Sequence, residues 1–152
     1  MPHEDCEARI ARLGYSLPEF GPPRAKFALG VIADSIVYLA GAGSAIKGKL
    51  GRDLNIESGY VAAREAGLQM LANLKKEVGS LDRVDRVLQA TCMVNSETDF
   101  IDQPAVANGF TELMLEIFGP EAGHHARTAI GVASLPNGIA VEIDAIVRLR
   151  QE

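Results

Sequence analysis

The spacing of apolar residues changes several times along this chain, and each change marks an element. In "NIESGYVAAREAGLQMLANLKKEVG", Ile56, Tyr60, Ala63, Gly67, Met70, Leu74 and Val78 recur at helical spacing. They predict a long helix with one apolar face, Asn55 as its cap and Gly79 as its stop. A second helix is predicted in "DQPAVANGFTELMLEIFGP". Asp102 caps it, Pro104 sits in its first turn, and Gly119-Pro120 ends it. Val106, Phe110, Leu113 and Ile117 are its buried stripe. Between the helices the period falls to two. "RVDRVLQATCMVN" reads as a strand with Leu88, Ala90, Cys92 and Val94 on one face and Val87, Gln89, Thr91 and Met93 on the other. Two strands come before the long helix, Ala25 to Gly30 and Ile36 to Ala40, joined near Ala33-Asp34. "IVYL" is apolar on both faces, so burial on both is expected. Two more strands, Ala126 to Val132 and "VEIDAIVRL", flank Pro136-Asn137-Gly138 and read as a hairpin. "DCEARIARLGYSLP" predicts a short N-terminal helix with Ile10 and Leu13 as contacts and Pro18 beyond its end. "GSAIKGKLGRDL" reads as a mobile, glycine-rich connection whose glycines lack phosphate-loop spacing.

The resulting order, β-β-α-β-α-β-β, is an α+β fold: one sheet with two helices packed on one face. A single domain over residues 1–152 is expected, with residues 1–20 as an N-terminal extension. Two helices cover only one face of such a sheet, yet several strands are apolar on both. A second copy of the chain is the simplest cover for the other face.

Composition narrows the function classes. Of 152 residues, 47% are hydrophobic and 23% charged, which suits a soluble aliphatic core. The formal net charge is −5, and no run of lysines and arginines interrupts it, so nucleic acid is not an expected partner. The N-terminal stretch is charged, without the apolar run of a signal peptide, and no stretch has membrane-spanning length. Cys6 and Cys92 make no disulfide framework, so a cytoplasmic location is expected.

Arg127 is the main candidate for chemistry. On a strand it shares a face with Ala129 and Gly131, which predicts space beside its guanidinium and main-chain N–H groups within reach. A small carboxylate fits such a place; so does an acidic side chain in a structural ion pair. Glu142 and Asp144 lie opposite the apolar face of the last strand, where a solvated polar face and a site glutamate look alike. A regular hairpin sets Arg127 opposite Arg148 and leaves Glu142 six residues further along, roughly 20 Å away. Arg127 and Glu142 then share a site only across a subunit interface. Asn108 lies inside the second helix, where asparagine and the following Gly109 are poor formers, a local cost that fits either a site or a surface amide. His124 and His125 point to opposite faces and do not clamp one metal. No zinc spacing, catalytic triad, nucleophile elbow or dinucleotide fingerprint is present.

"HARTAIGVASLPNGIAVEIDAIVRL" resembles the C-terminal signature of the reactive intermediate/imine deaminase (RidA/YjgF-like) family. "VNSETDFIDQPAVANGFTELMLEIFG", "YLAGAGS" and the long helix with "SLDRV" extend the resemblance over about residues 20 to 150. Several of these segments look most like a longer subgroup labelled endoribonuclease L-PSP or chorismate-mutase-like. The resemblance implies a chorismate-mutase-like fold and a homotrimer with sites at the subunit clefts. It implies an arginine that binds the carboxylate of a 2-imino or 2-aminoacrylic acid, and water that hydrolyses the imine to a 2-oxo acid and ammonia. No metal or cofactor is implied. By position the family's arginine, asparagine and glutamate fall on Arg127, Asn108 and Glu142. Ala40, Gly41 and Ala129 fall on substrate-contacting positions. Three polar side chains of the family are replaced: its tyrosine by Pro23, its serine by Ala40 and its cysteine by Ala129. Two functions follow, a hydrolytic deaminase of small imino acids and a trimeric binding protein for a small carboxylate. An RNA-cleaving activity fits the acidic, aromatic-poor chain poorly.

Overall fold

A computed structural model of the chain describes residues 4–19 and 26–152. Five strands, β1 (Gly30–Ala33), β2 (Ile36–Gly43), β3 (Val84–Asn95), β4 (Ala126–Val132) and β5 (Val141–Leu149), form one mixed sheet in the order β1-β2-β5-β3-β4. All neighbours are antiparallel except β3 and β4, which run parallel. Helices α2 (Ile56–Val78) and α3 (Gln103–Ala122) pack on one face of this sheet, and a short helix α1 (Cys6–Arg12) joins them at one end. The fold class is therefore as the sequence pattern predicts.

The expected hairpin does not form. β3 lies between β4 and β5, and β4 is the edge strand. A parallel pair needs a long crossover, and α3 supplies it between β3 and β4. The eight residues between Val132 and Val141 then carry the chain past the end of β3, a step of roughly 10 Å. Pro136–Gly138 folds as a tight 3-10 turn with Asn137 in the left-handed region (φ 59°), not as a two-residue hairpin loop. Strand β3 also departs from simple alternation. Register shifts near Arg86 and Leu88 place Val84, Val87, Ala90, Cys92 and Val94 on the core face, while Leu88 turns off it. One extra residue in a strand exchanges the faces of everything before it. At the other edge, β1 begins at Gly30, where the expected strand ended; Ala25 lies outside the described residues.

Helix α2 begins as predicted. Asn55 Oδ1 accepts from the Ser58 N–H at 2.9 Å, and Ser58 Oγ accepts from the Asn55 N–H at 3.1 Å, a closed capping box. It ends at Gly79, at φ 88°. Helix α3 starts after Asp102, whose side chain makes no capping bond, and breaks at Gly119 (φ 86°, ψ 175°) before Pro120. The two helices approach closely because small residues line their seam. A Cβ on Gly109 would stand 2.1 Å from the Tyr60 carbonyl oxygen, and one on Gly67 would stand 2.9 Å from Leu113. Beneath the seam, Phe110, Leu113, Ile117, Met70 and Leu74 have no exposed surface.

The glycine-rich connection before α2 is anchored by its own contacts. Leu50 is fully buried, its N–H donates to Asn95 O, and its carbonyl accepts from Glu97 N–H. Lys49 Nζ donates to Asn95 Oδ1 at 2.8 Å and to Ala133 O at 2.6 Å. Among the described residues, no helix covers the opposite face of the sheet. Val31, Tyr38 and Ile130 on it are 55%, 50% and 43% exposed. Among the described residues, "IVYL" is thus buried on one face only.

Gly109→Ala is expected to cost about 3 kcal/mol of stability, because the new methyl must displace backbone and not a mobile side chain. Gly79→Ala, with open space around it but a positive φ, is expected to cost about 1 kcal/mol. Urea unfolding of both variants measures the contrast.

Candidate functional site

Strand β4 alternates as the sequence predicts, and parallel pairing decides which face is which. Arg127 registers with Ala90, Ala129 with Cys92 and Gly131 with Val94, so all three face the helices. Helix α3 lies directly over them. Arg127 Nη1 donates to Asn108 Oδ1 at 2.9 Å and to Thr111 Oγ1 at 3.1 Å, and Nη2 lies 3.5 Å from the Pro104 carbonyl. Asn108 and Thr111 are three residues apart and project from one side of α3. The local cost of Asn108-Gly109 in a helix has two separate causes. Gly109 is required by the seam with α2, and Asn108 by the arginine.

Every partner of Arg127 is a neutral oxygen. No carboxylate among the described residues pairs with it. Arg148 bonds to Asp85 at 2.6 Å and Arg64 to Glu116 at 2.7 Å, so ion pairs do form elsewhere. Of the two sequence readings of Arg127, the structural ion pair is therefore absent from the described part of the chain. Both Nη1 hydrogens are occupied and Nη2 donates one to the Pro104 carbonyl, which leaves Nε–H and one Nη2 hydrogen, the pair on the Nε/Nη2 edge, without an acceptor among the described residues. That edge matches a carboxylate's two oxygens. Asn108 is exposed, with its oxygen turned to Arg127 and its amide hydrogens free to donate, an orientation assigned from the hydrogen-bond pattern.

The room expected beside Arg127 is narrower than the sequence suggests. Gly131 does not open a pocket: a Cβ there would stand 2.7 Å from both Gln103 Nε2 and Ser96 Oγ. Along this face of β4, Ala129 lies between Gly131 and Arg127. The thiol nearest Ala129 across the strands is Cys92, and burial pushes it up to about 12. It stays protonated at neutral pH.

Glu142 stands on the other side of the sheet. Its neighbours Val141 and Ile143 face the core, so its carboxyl points to the bare face with Asp144. Its side chain lies against Gly41, where a Cβ would be 2.9 Å from the carboxyl carbon. Ala40 and Gly41 sit where β2 slips register against β5, between Leu39 and Ala42. The bulge and Gly41 together make the space that Glu142 fills. The structure thus brings the predicted residues into two groups: Arg127, Asn108 and Ala129 under α3, and Ala40, Gly41 and Glu142 on the bare face. The hairpin distance no longer applies, since Glu142 is two strands over and three residues along from Arg127, roughly 14 Å between Cα atoms. Separation by the sheet itself keeps the groups apart. Pro23 lies outside the described residues. A cleft of about 660 Å³ at the start of α2, lined by residues 51–57 and Phe100, touches neither group, and its Arg52 and Asp53 bond to each other.

Sequence reasoning missed Thr111, Gln103 and Ser96, and weighed His125 only as a metal ligand. The i, i+3 spacing of Asn108 and Thr111 was a usable signal for the first. The others needed the strand order. His125 Nδ1 lies 2.7 Å from Gly123 O, and Nε2 lies 3.2 Å from Thr111 Oγ1. Burial first, then the charges of Arg127 and His124, hold His125 below the usual imidazole range, against the opposing pull of the Gly123 carbonyl.

Comparison with known proteins agrees over nearly the whole chain. A family described as "YjgF/chorismate_mutase-like, putative endoribonuclease" matches residues 8–142. Protein TCP17 of Trypanosoma cruzi is 40% identical over 148 residues, covering 93% of this chain and 92% of that protein. The crystal structure of Atu1372 from Agrobacterium tumefaciens, a protein of unknown function, superposes with a TM-score of 0.87 at 34% identity, covering 95% of this chain and 94% of the other. TdcF of E. coli, solved with bound serine, shares the fold at a TM-score of 0.55 and 21% identity, over 90% of this chain and 94% of that one.

A histidine whose folded pKa is depressed is neutral in the fold and binds protons more readily when unfolded. Its stabilising share is complete above the unfolded value of about 6.5 and is lost as pH falls through the lower folded value. The stability difference between the parent and His125→Phe, which does not titrate, is therefore expected to narrow from pH 7 to pH 5 in urea unfolding. A difference that stays constant means an unperturbed His125 and one that widens means a raised folded pKa; either overturns the assignment.

Proposed function

The chain belongs to the YjgF/chorismate mutase-like family, and from that premise we propose that it is a homotrimeric hydrolytic deaminase of small 2-imino or enamine carboxylic acids. The observation that carries this reading is Arg127. Among the described residues its guanidinium is held by neutral oxygens alone, with Nε–H and one Nη2 hydrogen left without an acceptor. That arrangement keeps a full positive charge for an anionic ligand. Serine bound to the E. coli fold relative is an amino carboxylate, the same kind of group.

The two groups of site residues lie on opposite faces of one sheet, so a site that uses both requires two copies of the chain. Apolar side chains left bare on the open face, Val31, Tyr38 and Ile130, favour such an assembly. In the proposed site Arg127 and the Asn108 amide hold the carboxylate beside α3. Glu142 of a neighbouring copy orients a water toward the imine carbon. The water oxygen bonds to that carbon, the C=N electrons move to nitrogen, and proton transfer lets ammonia leave as the C=O forms. The products are a 2-oxo acid and ammonia.

Ala40 and Ala129 replace polar side chains usual in the resembling family, which widens the cleft and makes it more apolar. Each missing hydrogen bond in the transition state costs about 1–3 kcal/mol, about one to two powers of ten in rate. Imines of bulkier acids are therefore expected to be better substrates than those of pyruvate or 2-oxobutyrate. Imines generated in situ from several amino acids, with release of ammonia and oxo acid measured, test this. Oxo-acid binding without turnover of any imine makes the protein a carboxylate-binding trimer.

Two further outcomes are expected. Arg127→Lys keeps the charge but loses the fork, and is expected to abolish oxo-acid binding in calorimetry while the fold survives; parent-like affinity makes Arg127 structural. Sedimentation equilibrium is expected to give a trimer. A stable monomer removes the two-copy site.

A further inference from the structure

Arg127 is the end of a chain of hydrogen bonds that runs away from the ligand side. The Gly123 carbonyl only accepts, so the proton of neutral His125 sits on Nδ1, 2.7 Å from it. Nε2 is then an acceptor, and the Thr111 hydroxyl 3.2 Å away donates to it. That fixes the Thr111 lone pairs toward Arg127 Nη1, 3.1 Å away. The imidazole itself is held on a third side by the edge of Phe110, with ring centroids 5.3 Å apart at 68°. Phe110 is fully buried, and Gly123 sits where a Cβ would meet the Met114 carbonyl at 2.4 Å. The anchor of the chain is therefore part of the rigid core, and the arginine stands at its other end.

We propose that Thr111 and His125 are positioning residues that lock the Arg127 guanidinium in one rotational state, so that its Nε/Nη2 edge is presented to the carboxylate. This rests on the reading of Arg127 as a carboxylate binder. Without the chain, Nη1 keeps only the exposed Asn108 as a close partner, and the guanidinium turns about its Nε–Cζ bond. Thr111→Val has the same shape but no hydroxyl. His125→Phe keeps the ring and its contact with Phe110 but no nitrogen.

Pyruvate binding by calorimetry and nitrogen-15 NMR of the arginine side chains in the free protein test this together, with melting temperature confirming that each variant folds. Thr111→Val is expected to weaken pyruvate binding about tenfold and to speed rotation of the Arg127 guanidinium. Thr111→Ser is expected to restore both. His125→Phe is expected to act like Thr111→Val, and the double variant is expected to be no weaker than either single one, because both break one chain. His125→Gln, whose amide oxygen accepts from Thr111, is expected to retain most of the affinity. Equal guanidinium rotation in parent and Thr111→Val, or fully additive losses in the double variant, overturns the proposal even if carboxylate binding stands. Slowed rotation in the parent with no pyruvate bound leaves the positioning chain in place and removes the carboxylate reading instead.

Discussion

The parallel pairing of β4 with β3 is the constraint on which the rest of this structure depends. A parallel neighbour must be reached by a crossover, and the crossover here is α3. Because α3 is tied to β4 through its own connection, it lies over the helix-facing side chains of that strand. Those side chains are Arg127, Ala129 and Gly131. The same pairing makes β4 an edge strand, so the arginine sits at the rim of the sheet and not in its middle. An edge strand leaves one row of backbone groups without a strand partner among the described residues, which favours contact with another molecule.

Close packing then converts position into chemistry. Gly109 lets α3 settle against the Tyr60 carbonyl of α2, and this fixes the rotation of α3 about its axis. The rotation aims Phe110 into the core and leaves Asn108 and Thr111 on the flank that meets Arg127. A guanidinium in this place without a carboxylate is costly unless its hydrogens are satisfied. Three oxygens from α3 answer that need while leaving the charge uncompensated. Arg64 shows the contrast. It is more deeply buried, stacks on Tyr15 and Tyr60, and pairs with Glu116, so its charge is neutralised where it stands. One arginine holds helices together, and the other keeps its charge available.

The bare face of the sheet follows from the count of helices. α2 and α3 cover one side, and the residues of β5 divide accordingly: Val141, Ile143, Ala145 and Val147 are buried, while Glu142 and Asp144 look outward. Gly41 and the register slip in β2 give the Glu142 side chain its place on that outer face. Arg127 and Glu142 thus lie on opposite faces of the sheet.

Local order was legible in the sequence because it depends on neighbours a few residues apart. The cap and stop of α2, the stripe of α3, the alternation of β4 and the apolar face of β5 all came from spacing alone, and the motif around Arg127 was enough to name the family. Features that depend on residues far apart were not legible. The hairpin failed because antiparallel and crossover pairing of β4 and β5 leave the same short-range pattern, and the choice lies with β3 and α3. The face of Leu88 was misassigned because a bulge adds one residue without any mark in the hydrophobic pattern. The connection around Leu50 reads as mobile in sequence because its anchors, Asn95 and Ala133, lie more than forty residues away. Arg127 and Glu142 were each found from sequence as candidates. Their separation by the sheet, and the oxygen cage that leaves Arg127 charged, were decided only by tertiary structure, because a side chain's partners are set by packing in space and not by position along the chain.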